Sequence, residues 1–171
     1  DDFENGLGKW ITSWGLTETG SVSATHSAAD SPDANYPANA NTGMTLLHPI
    51  DLSSTVSPVL TFWQKIGVHG SDHGYLEISE DGGFTWKTLQ DLTQTWRSTW
   101  EYVQVDLSAY KTSQVKIRFR LRDNGDGYVT WGWDVDDVEI KERDMATMAF
   151  PFSDDFENGL GKWITSWGLT E

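Results

Sequence analysis

Val115-Lys-Ile-Arg-Phe-Arg-Leu-Arg122 decides the fold class. Val115, Ile117, Phe119 and Leu121 share one face, and Lys116, Arg118, Arg120 and Arg122 share the other. Extended backbone sends successive side chains to opposite sides, so this stretch is a strand with one face on a core and one toward water. The same alternation recurs outward from it. Leu60, Phe62 and Ile66 alternate within residues 59–66, and Leu76 and Ile78 within 74–79. Val103, Val105 and Leu107 line one face of 101–107, and Val138 and Ile140 one face of 131–140. Turn signals separate these runs: Ser57-Pro58, Asp81-Gly82-Gly83, Asp123-Asn-Gly-Asp-Gly127 and the polar stretch from Ala28 to Thr42. No segment keeps an apolar period of 3.6 residues for three turns. An all-β chain folded as an antiparallel sandwich or barrel is expected.

Composition narrows the function classes. The chain has 171 residues, no cysteine, and 26 acidic against 12 basic residues, a net charge of −14. That balance argues against nucleic acid or an anionic membrane surface as partner. No apolar run approaches twenty residues, so no membrane span is expected. Ten tryptophans beside 16 glycines fit a β-protein with large aromatic residues.

Both ends carry the same eighteen residues. Asp1 to Glu18 reads DDFENGLGKWITSWGLTE, and Asp154 to Glu171 repeats it without change. A tandem repeat of 153 residues is the simplest reading, although an engineered duplication would look the same. On that reading residues 1–140 are one β-domain. Residues 141–153, charged at first and containing Pro151, are a linker, and 154–171 open the next unit. Two identical segments then compete for one place in the sheet. Head-to-tail strand donation between neighbouring repeats follows as an expectation.

Two motifs carry resemblances. Ser79-Glu-Asp-Gly-Gly-Phe-Thr-Trp86 is similar to the Asp-box of sialidase propellers. Asp81 is expected to accept backbone N–H bonds across a turn, Gly83 to supply positive φ, and Trp86 to pack beneath. The wider resemblance lies in the order of segments. Asp2-Phe-Glu-Asn-Gly-Leu7 with Trp10 and Trp14 is followed by Asp30 to Ala40, Pro49-Ile-Asp-Leu-Ser53 and Leu60-Thr-Phe-Trp63. Ser79 to Trp86, Val105 to Tyr110, Ile117-Arg-Phe-Arg120 and Trp133 to Ile140 complete it. This order resembles the MAM-like jelly-roll module of secreted bacterial proteins, including accessory regions of immune-inhibitor-A-type metalloproteases.

The resemblance implies a two-sheet jelly roll whose first and last strands meet. It also implies a structural cation, usually Ca²⁺, where the opening Glu, the Asp-rich early loop and the closing Asp-Asp converge. The residues agree in part. Asp136 shares a parity with Val138 and Ile140, so it should face the interior, with no Lys or Arg nearby on that strand. A buried carboxylate costs several kcal/mol unless paired or coordinated, and Ca²⁺ takes six to eight hard oxygen ligands. The candidate ligands are Glu4 or its duplicate Glu157, Asp30, Asp33 and Asp136, with Asp137 weaker because it falls on the opposite face. Loop-capping and surface carboxylates are the alternative. Asp123 to Gly127 lacks the acceptor pattern of an EF-hand, and His26, His48, His69 and His73 lack zinc-site spacing.

No nucleophile elbow or phosphate loop occurs, so an enzyme is not expected. The leading expectation is a non-catalytic repeat module of a large secreted or surface bacterial protein, a calcium-stabilised spacer or adhesion unit. The alternative is a carbohydrate-binding module that stacks sugars on exposed Trp faces, with Trp96, Trp100 and Trp131 as candidates near turns.

Overall fold

The computed structural model describes residues 1–143. The linker from residue 144 onward, the repeated segment 154–171 and Glu157 lie outside them. Ten strands follow in order: β1 (Trp10–Thr12), β2 (Gly15–Thr17), β3 (Ser27–Ala29), β4 (Asn41–Leu46), β5 (Pro58–Gly67), β6 (His73–Ser79), β7 (Lys87–Asp91), β8 (Trp96–Asp106), β9 (Lys116–Arg122) and β10 (Gly132–Glu142). They form two five-stranded antiparallel sheets, one ordered β1-β4-β9-β6-β7 and the other β2-β3-β10-β5-β8. The expected all-β jelly-roll sandwich is what the chain forms.

Alternation in β9 explains the core. Phe119, fully buried, has ring centroids of Trp10, Trp14, Phe62 and Trp133 within 5.1 to 6.4 Å. Those partners come from both sheets, so one strand's apolar face gathers the whole interior. Edge-to-face aromatic pairs add roughly 0.5–1.5 kcal/mol each beyond their burial. The indole N–H of Trp133 donates to the buried Gln64 side chain at 3.1 Å, which satisfies both polar groups inside the core.

Three expectations need correction. The first and last strands do not pair: β1 edges the first sheet, while β10 is central in the second. Their ends meet at Asp1, whose backbone nitrogen donates to the Val138 carbonyl and whose carbonyl accepts the Val138 N–H. The domain boundary also moves. Lys141 and Glu142 pair with Val59 and Pro58 and belong to β10, because the ladder with β5 runs past Ile140. Lastly, the polar stretch 28–42 is not all turn, for β3 and the start of β4 lie in it.

Candidate functional site

The outer face of the second sheet concentrates aromatic side chains. Leu60, Phe62 and Ile66 of β5 are buried, so Trp63, Lys65 and Gly67 take the opposite face. Tyr102 pairs with Trp63 across β8, ring centroids 5.2 Å apart. Trp100 shares their side, and the Lys65 ammonium stands 4.8 Å above its ring. At the far end Trp131 lies across Gly67, where any side chain would collide with the indole at 2.6 Å. Trp131 meets Trp96 edge-on at 6.0 Å, and Trp96 is 55% exposed.

Two aromatic pairs therefore flank a charged centre, in which Lys65 and Asp134 form an ion pair at 2.8 Å. Four residues of strand, roughly 13 Å, separate Trp63 from Gly67. A hollow of about 500 Å³ opens beside Trp63 and Tyr102, lined also by Thr61, Asp137, Glu139 and Lys141. Another of about 320 Å³ opens beside Trp131, lined by Thr17, Ser31, Asp33, Asn35, Lys65 and Asp134. Flat apolar rings with scattered hydroxyl, amide and charged groups can stack on a ligand and orient its polar edges. Trp96, Trp100 and Trp131 were legible as candidates. Trp63, Tyr102 and Lys65 were not, though their parity opposite Leu60, Phe62 and Ile66 was a usable signal.

The carboxylates expected to hold a cation divide between two places. Glu4 and Asp136 both grip the segment Val22–His26. Glu4 accepts the N–H groups of Thr25 (2.9 Å) and His26 (2.6 Å) and the Thr25 hydroxyl (2.7 Å), and that hydroxyl above all holds its carboxyl down at about 2. Asp136 accepts the N–H groups of Val22 (2.7 Å) and Ser23 (3.2 Å). It is wholly buried, and burial pushes its carboxyl up. Its burial arises differently from the expectation. A bulge between Asp136 and Glu139 breaks the alternation, so Asp136 pairs with outward Trp63 and is covered by the Val22–His26 segment rather than by the core. The bulge also brings Asp137, at φ 50°, onto Ser23, whose hydroxyl it accepts at 2.7 Å.

Asp30 and Asp33 lie at the other end. Asp30 follows β3 and accepts the N–H of Trp133 (2.6 Å) and the Ser31 hydroxyl (2.8 Å). Burial pushes its carboxyl up to about 6. Its carboxylate lies across Gly132, φ 94°, where a side chain would overlap it. Asp33, at φ 60°, lines the hollow beside Trp131. Asp30 and Asp136 thus hold different backbone, Asp30 the N–H of Trp133 and Asp136 those of Val22 and Ser23. Among the described residues no three His, Asp or Glu side chains converge on a metal position. The Asp-box residues form a turn: Asp81 accepts the Thr85 N–H (2.9 Å) and the Ser79 and Thr85 hydroxyls, Gly83 has φ 105°, and the Trp86 indole donates to the Gly83 carbonyl.

A two-sheet jelly roll with an aromatic outer face is the class this geometry defines. Within it, the chain belongs to the Reelin subrepeat B family, whose profile matches residues 27–141. It is similar to bacillopeptidase F of Bacillus subtilis, 27% identical over 154 residues, a match that covers 83% of this chain but only a tenth of that protein's length. Among solved structures, the K1 cleaved adhesin domain of Lys-gingipain from Porphyromonas gingivalis superposes with a TM-score of 0.57 at 19% identity, covering 84% of this chain and 96% of that one. A carbohydrate-binding module, TmCBM61, solved with β-1,4-galactotriose, superposes with a TM-score of 0.54 at 16% identity, covering 83% and 94%. These two likenesses concern the fold. No helix among the described residues is long and apolar enough to cross a membrane.

Proposed function

We propose that this chain is a non-catalytic, extracellular binding module of a bacterial protein, and that its ligand is a glycan laid along the outer face of the second sheet. The observation that carries this is the row Trp63, Tyr102, Trp100, Trp96 and Trp131, with the Lys65–Asp134 pair at its centre. Large aromatic rings left half open cost hydrophobic free energy, and a sugar's C–H face removes that surface from water. The likeness to an adhesin domain and to a galactotriose-bound module supports the reading and the extracellular setting. Native affinity gels cast with a panel of polysaccharides test it. Retardation by at least one polymer, abolished by Trp63→Ala and by Trp131→Ala, is the expected result. Migration unaffected by every polymer would sink the proposal.

The MAM-like resemblance, the 153-residue array and strand donation between units belong to the same proposal, as its account of lineage and assembly. So does calcium. Glu4, Asp136 and Asp137 supply the hard oxygen donors it takes, although the bonds to residues 22–26 now occupy them. Asp136 is buried with no cationic partner among the described residues, which supports a cation at this corner. Thermal melting with and without EDTA checks it. A midpoint lowered by chelation and restored by Ca²⁺ is expected, and an unmoved midpoint removes the metal from the account.

A further inference from the structure

We infer that the opposite face of the sandwich holds a second binding groove, for an anionic sugar bearing a carboxylate or sulfate. The four basic residues of β9 alternate with its core residues, so Lys116, Arg118, Arg120 and Arg122 all stand on the outer face of the first sheet. They span roughly 20 Å at about 3.3 Å per residue. This is a concentration of positive charge on a chain whose net charge is −14.

Beside them runs a groove of about 400 Å³ over Asn41, Gly43 and Thr45 of β4, with Ile11 on one side and Arg118 and Arg120 on the other. No carboxylate lines it. The two guanidinium groups are fixed in advance. Arg118 donates from Nε to Glu77 at 2.6 Å and lies 4.1 Å over the Trp86 ring. Arg120 donates from Nε to the Asn41 side chain at 2.8 Å, and its nearest acid is the same Glu77 at 3.9 Å. One buried carboxylate thus answers two guanidinium groups, and their terminal nitrogens make no hydrogen bond among the described residues. Anchored guanidinium forks with free ends are preorganised for a planar or tetrahedral oxyanion.

The rest of the lining selects the carrier. Ser13 and Thr45 offer hydroxyls, and Ile11, 58% exposed, offers an apolar wall. That mixture suits a sugar ring with one acidic group. With a neutral glycan on one sheet and an acidic one on the other, the module would bridge two different chains.

Calorimetric titration of the whole chain tests this with three probes: tetragalacturonate, a sulfated heparin-derived tetrasaccharide and neutral galactotetraose. At least one acidic probe is expected to bind, weakening with added salt. Arg120→Gln should weaken it at least about tenfold, the size of one charged hydrogen bond. Ile11→Glu, which places an acid in the groove without touching the arginines, should do the same. Binding of galacturonate alone assigns a carboxylate, and of the heparin fragment alone a sulfate. Both substitutions should leave any galactotetraose binding unchanged, whereas Trp131→Ala should remove that binding and spare the acidic probe. The groove is overturned if neither acidic probe binds, or if binding survives both groove substitutions. Failure of the neutral probe alone counts only against the other face.

Discussion

Asp30 is the residue whose ionisation the fold opposes most plainly. Burial holds it at about 6 against an ordinary 3.8, so between those values the folded chain keeps a proton that the unfolded chain has lost. Asp30's own contribution to stability therefore falls as pH rises from about 4 to about 6 and levels off above, by at most about 3 kcal/mol. Asp134 and Asp136 are pushed upward by burial as well, so they add to the same slope. Asp30→Asn keeps an oxygen for the Trp133 N–H and should flatten the dependence of the melting midpoint on pH over that window. Equal slopes in variant and wild type would contradict this. Tryptophans two residues apart also behave differently. Trp133 is buried and Trp131 lies on the open face. Trp133→Ala should cost roughly 3–5 kcal/mol in urea unfolding, as core aromatic deletions do, and Trp131→Ala under about 1 kcal/mol. Period-two parity places both indoles on one side. Gly132 between them, at φ 94°, turns the chain and separates them, and positive φ at one glycine is not legible in an alternation pattern.

At the scale of elements, legibility follows length. β5, β6, β8, β9 and β10 run from seven to eleven residues and announce themselves by alternation. β1, β2 and β3 are three residues each, too short to show any period. The bulge in β10 misled the reading of Asp136, since an inserted residue reverses parity from that point on. It also concealed Asp137, which works beside Asp136 on the same segment. The opening eighteen residues turn out to supply two edge strands, one in each sheet, and to bury Phe3, Trp10 and Trp14 between them. Trp10→Ala should lower stability by roughly 3–5 kcal/mol. If the identical later segment can take the same place, Trp163 would partly stand in for Trp10. The double variant Trp10→Ala, Trp163→Ala should then be less stable than the single one. Equal stabilities would argue against exchange of the two segments.

For the whole molecule, the sandwich separates two chemistries. One sheet presents aromatic rings around the Lys65–Asp134 ion pair, and the other a row of cations. Fold class was readable because the core pattern repeats along five long strands. The aromatic face was only half readable, because which of ten tryptophans remain open depends on how strands pair. Those tryptophans also provide the most direct measurement. Each indole N–H gives its own signal in a ¹H–¹⁵N NMR spectrum, and titration with a polysaccharide fragment retained in affinity gels should move those of Trp63, Trp96, Trp100 and Trp131. Trp10, Trp14 and Trp133, sealed in the core, should stay still. Saturable shifts confined to residues away from the second sheet's outer face, or no shift with any fragment, would contradict the assignment of that face as the glycan site.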